Sequence, residues 1–152
     1  MANSYIQVYL HYVFAVQGRQ NLIHEDNQKE LYKYITGIVR NKGQKLLAVG
    51  GMPDHVHVFV GINRAVDISA LISEIKSNAS RFINEKKWVM GKFRWQEGYG
   101  VFSYSRSHID NVVRYILNQK KHHEKRSFKN EYVELLKRFG ISYDEKYLFD
   151  WI

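Results

Sequence analysis

The hydrophobic pattern switches along the chain between a period of two and a period near 3.6. From Tyr5 to Val16 it alternates. Ile6, Val8, Leu10, Tyr12, Phe14 and Val16 share one face, and Tyr5, Gln7, Tyr9, His11 and Val13 share the other, which predicts a strand. Glu25 to Lys42 carries a helical stripe of Leu31, Ile35, Ile38 and Val39, with acids at its positive end and Gly43 at its stop. Leu46 to Gly50 and His55 to Gly61 predict two strands, and the short link Gly51-Met52-Pro53-Asp54 forces them into an antiparallel hairpin. Asp67 is a good N-cap for a second helix striped by Ile68, Leu71, Ile72, Ile75, Ala79, Phe82 and Ile83. Trp88 to Gly98 reads as a loop and Tyr99 to Ser105 as a fourth strand. Ser107 can cap a third helix running from His108 to about His123, striped by Ile109, Val112, Val113, Ile116 and Leu117. A last helix follows near Phe128 to Phe139, and then an aromatic tail, Tyr143 to Trp151, expected to pack on its own domain or on a partner.

The order β-α-β-β-α-β-α-α predicts an α+β, ferredoxin-like plan: an antiparallel four-stranded sheet with helices packed on one face and the other face open for function. At 152 residues, without linker, repeat or low-complexity tract, the chain is expected to form one domain, 1–152, with a core that needs no disulfide or metal. The absence of cysteine excludes disulfide scaffolds, thiolate metal sites and thiol catalysis. No apolar run approaches the roughly 18 residues of a membrane span, and Met1 to Gln7 lacks the pattern of a secretion signal, so a cytoplasmic protein is expected.

Charge sharpens this picture. The formal net charge is +8, and it is concentrated in two segments, Lys76 to Trp95 and Arg114 to Lys129, each with six bases against one acid. Two solvated helix faces would also look this way. With the 14% aromatic content, however, the clustering favours nucleic acid as partner.

Two short constellations could carry chemistry. In His55-Val56-His57 the two imidazoles lie on one strand face, about 6.6 Å apart along the strand, and can grip one metal ion. A pair of surface histidines is the plain alternative, since a chain of this composition yields about 0.3 such pairs at random. Tyr115 and Gln119 lie one helical turn apart on one face, and a tyrosine at the core margin with an exposed glutamine would look the same. Together they supply the parts for metal-assisted phosphoryl transfer. A divalent ion held by His55, His57 and the Gln119 carbonyl oxygen would polarise a phosphate, and the Tyr115 hydroxyl would attack it. Mixed N/O donors suit Mg²⁺ or Mn²⁺.

With these motifs in order on these elements, the sequence resembles the single-tyrosine HUH transposases of the insertion-sequence-200/605 type. The histidine–hydrophobic–histidine motif is matched by His55-Val56-His57 within Met52-Pro53-Asp54-His55-Val56-His57, and the tyrosine–glutamine motif by Tyr115-Ile116-Leu117-Asn118-Gln119. His11-Tyr12-Val13-Phe14, Phe93-Arg94-Trp95-Gln96-Glu97-Gly98-Tyr99 and the Lys76-Ser77 helix also look like the family, so the resemblance spans nearly the whole chain. It departs at Gln17-Gly18-Arg19, where a more basic run would be expected. The resemblance implies an HUH-endonuclease fold with a C-terminal catalytic helix. It also implies cleavage and rejoining of single-stranded DNA through a 5′-phosphotyrosine, recognition of a DNA hairpin, and a homodimer in which the tyrosine helix can sit against the partner's histidines.

Other residues compete for roles. Tyr99, Tyr104 and Tyr132 are rival nucleophiles better explained by strand or packing positions. His122 and His123 could replace Gln119 as a ligand, but are expected to face phosphate or solvent. His11 is expected to be a sheet-face histidine and His24 to start a helix, neither with a nameable partner. Lys76, Arg94, Arg106, Lys120 and Lys121 are candidates for DNA-backbone contacts, where reach and charge suffice. Two non-enzymatic alternatives remain. One is an inactive or domesticated hairpin-binding relative, against which the intact His55, His57, Tyr115 and Gln119 speak. The other is a ferredoxin-like module stacking RNA or single strands on Tyr5, Tyr9 and Phe59, for which the RNA-recognition signature is absent.

Overall fold

A computed structural model describes residues 4–124, 126–144 and 148. Four strands, β1 (Val8–Ala15), β2 (Lys45–Met52), β3 (His55–Ile62) and β4 (Gly100–Tyr104), form one sheet in the order β2-β3-β1-β4. Every neighbouring pair is antiparallel, as the ferredoxin-like order requires. Helices α1 (Glu25–Asn41) and α2 (Ile68–Lys86) connect the strands. They pack on the face carrying Leu10, Tyr12, Phe14, Val56, Val58 and Val60, all buried, with Leu31, Ile35, Leu71, Ile72 and Ile75 against them. Asp67 caps α2 as expected, its carboxylate accepting the Ala70 amide at 3.0 Å.

The second sheet face is covered, where the sequence led us to expect it open. Three further helices lie on it: α3 (Ile109–Leu117), α4 (Gln119–His122) and α5 (Phe128–Arg138). Val112 and Ile116 of α3 bury Ala48 and Phe59, while Phe128, Tyr132, Leu135 and Leu136 of α5 bury Val13, Ala15 and Phe102. Phe59 is therefore fully buried and offers no platform for stacking bases. The expected continuous helix from His108 to His123 is also divided. A 3-10 turn at Arg106–His108 precedes α3, and Asn118 (φ −103°, ψ 26°) breaks the run between Tyr115 and Gln119. Ser107 does not cap it, whereas Ser127 caps α5 by accepting the Asn130 amide at 3.2 Å. Leu148 packs against the α5 cluster, and the expectation for the tail otherwise falls mostly outside the described residues.

The hairpin between β2 and β3 is tighter than its sequence suggests, with Met52 paired to His55 across Pro53-Asp54. Gly50 lies opposite His57 and shares its face. A methyl group at Gly50 would sit 2.5 Å from the Ile116 carbonyl oxygen, so the missing side chain lets the α3 backbone lie directly on β2. Tyr115, one residue earlier in α3, is thereby brought down beside the β3 histidines.

The close approach makes Gly50→Ala a test of how α3 is seated. The added carbon must displace helix backbone, and overpacking of this kind costs about 1–3 kcal/mol. Gly37→Ala, in α1 with nothing within 4 Å of the new carbon, is expected to stabilise by roughly 0.5–1 kcal/mol. Urea unfolding midpoints of the two variants should move in opposite directions.

Candidate functional site

Strand β3 is buried along its whole length, and alternation divides its residues between two environments. Val56, Val58 and Val60 enter the core under α1 and α2, while His55 and His57 point to the opposite face and are fully buried beneath α3–α5. Buried imidazoles need partners, and each ring nitrogen of the pair has one. His55 Nδ1 lies 2.7 Å from Asp54 Oδ1 in the hairpin turn, and its Nε2 lies 3.1 Å from Gln119 Oε1. His57 Nδ1 lies 2.7 Å from His11 Nε2 on β1, and its Nε2 lies 3.2 Å from Glu131 Oε1 on α5. The His55 ring also stacks on Phe128, with centroids 4.0 Å apart.

Glu131 is the hub of this cluster, and the sequence reading did not single it out. Its side chain is 1% exposed. Oε1 faces His57 and His123 at 3.2 Å and His55 at 3.4 Å. Oε2 accepts the Tyr115 hydroxyl and, at 3.1 Å, the Gln119 amide. A signal for it exists in the sequence. Phe128, Glu131, Tyr132, Leu135 and Leu136 fall on one helical stripe, so Glu131 is an acid in an apolar stripe of α5.

The electrostatics follow from burial and these contacts. Burial alone would raise the Glu131 pKa, but the electrostatic interaction with His57 and hydrogen bonds from His123, His55 and His57 hold it well below the usual carboxylate range. Burial would lower His55, yet its bonds to Asp54 and Glu131 push it up to about 9. Burial dominates at His57 and lowers it despite Glu131. Tyr115 is pushed up, first by burial and then by the Glu131 charge. The phenol is therefore protonated and donates to the carboxylate.

Tyr115 and Gln119 both reach the histidine pair, on either side of the helix break. The Tyr115 ring packs edge-on to His57, with centroids 5.7 Å apart. His123 departs from its expected outward position, since its Nε2 lies 3.1 Å from Gln119 Oε1 inside the cluster. His122 packs on the Tyr115 ring, with centroids 4.8 Å apart. The rival tyrosines stand elsewhere. Tyr99 meets Ser69 at 2.7 Å, Tyr104 packs among Phe59, His108 and Phe139, and Tyr132 lies in the α5 core, where burial pushes it up to about 12.

The basic candidates lie outside this cluster. Lys76 Nζ donates to the carbonyls of Gln96 and Gly98, at 2.7 and 3.0 Å, beside a groove of about 730 Å³ between α2 and residues 92–97. Arg94 lines the same groove, with Arg81 and Lys92. Arg106 borders a second depression, near the start of β1. Lys120 pairs with Glu25 at 3.0 Å, and Lys121 is exposed.

The donor set fits a divalent cation. His55, His57 and Glu131 each present one donor atom, all within 4.8 Å of one another, so the group could hold a metal ion. Three of these separations, His55 to Gln119 Oε1 and each histidine to Glu131 Oε1, are 3.1–3.4 Å, near the spacing of about 3 Å between adjacent ligands that bind a metal at ~2.0–2.2 Å. Asp54 and His11 engage the remaining nitrogen of each histidine, as supporting partners of metal-bound imidazoles do. No described helix is long and apolar enough to cross a membrane.

Comparisons with known proteins bear on the fold and the family. The chain is similar to a crystal structure from Deinococcus radiodurans R1 provisionally described as a transposase: 21% identity, TM-score 0.63, covering 78% of this chain and 95% of that one. It is also similar to a REP-associated tyrosine transposase solved bound to a REP hairpin: 17% identity, TM-score 0.60, covering 81% and 73%. Comparison with curated protein sequences gave no match. The family described as "Transposase IS200 like" matches residues 4–119, from before β1 to the first residue of α4, and the chain belongs to that family.

Proposed function

We propose that the protein cleaves and rejoins single-stranded DNA at element ends, with Tyr115 as nucleophile. The observation that carries this reading is the direction of the Tyr115 hydroxyl. It points into the same buried cluster that contains His55, His57 and Gln119, and it is hydrogen-bonded there to Glu131. His55, His57, Glu131 and Gln119 would hold Mg²⁺ or Mn²⁺, the imidazoles favouring Mn²⁺. The cation would polarise a phosphate oxygen and stabilise the charge that develops on it.

Tyr115 Oη attacks the phosphorus, and its proton passes to Glu131 Oε2, the acceptor it already faces. The bond from phosphorus to the 3′-oxygen breaks, leaving a free 3′-hydroxyl, protonated from water, and a 5′-phosphotyrosine on Tyr115. Rejoining runs the same path in reverse. An incoming 3′-hydroxyl attacks the phosphotyrosine, and the phenolate, a better leaving group than an aliphatic alkoxide, recovers its proton. Within one chain Tyr115 reaches His55, His57, Gln119 and Glu131, so a protomer is able to assemble the site by itself. A homodimer would then serve to hold two DNA ends.

Hairpin DNA is the proposed substrate, with Lys76, Arg94, Arg106, Lys120 and Lys121 as backbone contacts. Arg94, with Arg81, Lys92 and Lys76, gives the groove beside α2 four bases against Glu85 and Glu97, a net positive lining suited to phosphates.

Labelled single-stranded DNA from the flanks of the gene, incubated with Mn²⁺ or Mg²⁺, should yield a covalent protein–DNA band on a denaturing gel. The band should vanish with chelator and in Tyr115→Phe, while Tyr115→Phe still binds Mn²⁺. An adduct that survives in Tyr115→Phe overturns the nucleophile. Hairpin binding without any adduct supports an inactive binder instead.

Glu131→Gln keeps the shape but removes the proton acceptor. Adduct formation is expected to slow by ~10²-fold, the scale of one positioned general base. Single-turnover rates compared under saturating Mn²⁺ check this.

A further inference from the structure

His11 is a fully buried histidine whose ring touches neither Tyr115 nor the carboxylate by hydrogen bond. It sits on β1 diagonally across from His57, since His11 pairs with Phe59 and His57 with Val13. Its ring lies in parallel contact with that of His57, centroids 5.0 Å apart and planes at 23°, and Nε2 approaches His57 Nδ1 to 2.7 Å. The other neighbours of the ring are Phe102, Tyr104 and Tyr115, at 6.0–6.4 Å between centroids. Among the described residues His11 Nδ1 has no hydrogen-bond partner. A buried imidazole with one nitrogen unpaired is costly, by about 1–3 kcal/mol for the orphaned group. An apolar side chain would have filled the space without that cost, which calls for a role at Nε2.

Resting on the assignment of His57 as a metal ligand, we infer that His11 is a positioning residue that sets the tautomer of His57, accepting the Nδ1–H that frees His57 Nε2 to bind the cation. Without metal, His57 Nε2 faces Glu131 Oε1 at 3.2 Å and is best served by carrying a proton toward that carboxylate. His57 Nδ1 is then a bare acceptor, and His11 must donate from Nε2. With metal, His57 Nε2 must offer its lone pair, the proton sits on Nδ1, and His11 Nε2 must accept. Both rings stay neutral in both states. The exchange takes one proton from His57 Nε2, passes the shared one from His11 Nε2 to His57 Nδ1, and places one on His11 Nδ1. A neutral imidazole can donate or accept at the same atom by changing tautomer, so the 2.7 Å contact survives in both states. The free Nδ1 is what permits the change, because a fixed partner there would lock one tautomer.

The test compares three chains. His11→Gln retains a group that can turn either its carbonyl or its amide toward His57, while His11→Phe fills similar space but does neither. Mn²⁺ affinity, measured calorimetrically on each protein without DNA, should fall about 10–100-fold in His11→Phe, the usual effect of losing such a supporting partner, and stay within about threefold of wild type in His11→Gln. Nitrogen-15 shifts of His57 in the wild-type protein loaded with Zn²⁺, a diamagnetic probe, should report a proton on Nδ1. This reading stands even if the phenylalanine variant fails to fold. Equal Mn²⁺ affinity in all three chains, or a Zn²⁺-bound His57 ligating through Nδ1, overturns the role of His11. A wild-type protein that binds neither ion overturns the metal site itself, and the role of His11 with it.

Discussion

One buried carboxylate organises this structure. Glu131 lies where water cannot solvate it, and an isolated charge there would be prohibitively unfavourable. It persists because His55, His57, His123, Gln119 and Tyr115 all turn toward it. The same contacts fix those side chains. β3, α3, α4 and α5 are thus tied at one point, and the three helices on the second sheet face are held together by polar bonds as well as by packing. Removing the carboxylate would orphan several buried donors at once, so the cluster behaves as a unit whose members have no separable energies.

The requirement to satisfy buried polar atoms also explains the covered sheet face. A histidine pair on an open face could be hydrated, and neither ring would need Asp54, His11 or Glu131. Once α3 and α5 bury it, each nitrogen must be paired, and the pairing gives each ring a set orientation. Gly50 makes this possible on the α3 side by letting the helix backbone touch β2. Phe128 does so on the α5 side by stacking on His55. The site is rigid because its walls are core.

Much of this was legible in the sequence where the information is local. Alternation put His55 and His57 on one face, helical spacing put Tyr115 near Gln119, and the short link made β2 and β3 an antiparallel hairpin. The divided third helix was not legible, because one Asn118 in a helical stripe lowers helix propensity by at most about 0.7 kcal/mol and marks no fixed break, while Gln119 and His123 beyond it both reach the cluster. The open second face was misjudged because α3 and α5 show the same amphipathic pattern whichever layer they join. Glu131 was missed, and His11 was placed on the sheet face without its partner, for a different reason. Each is a polar residue on an apolar or half-apolar stripe, and it gains meaning only from partners 46 and 74 positions away.

The family match ends at residue 119, while Glu131 lies beyond it, on α5. The histidines, the tyrosine and the glutamine therefore belong to the matched body of the fold, and the carboxylate is brought by the segment that follows. This division has a chemical consequence. Within the matched body, the groups facing the proposed cation position are two imidazoles and an amide oxygen, none of which carries a negative charge. In the proposed reaction the added carboxylate would supply both the negative charge that favours a divalent ion and the acceptor for the Tyr115 proton. In the proposed reaction, a C-terminal helix that would otherwise only cover hydrophobic surface would thereby couple metal affinity to nucleophile activation through the two oxygens of one residue: Oε1 faces the histidines and Oε2 faces the phenol.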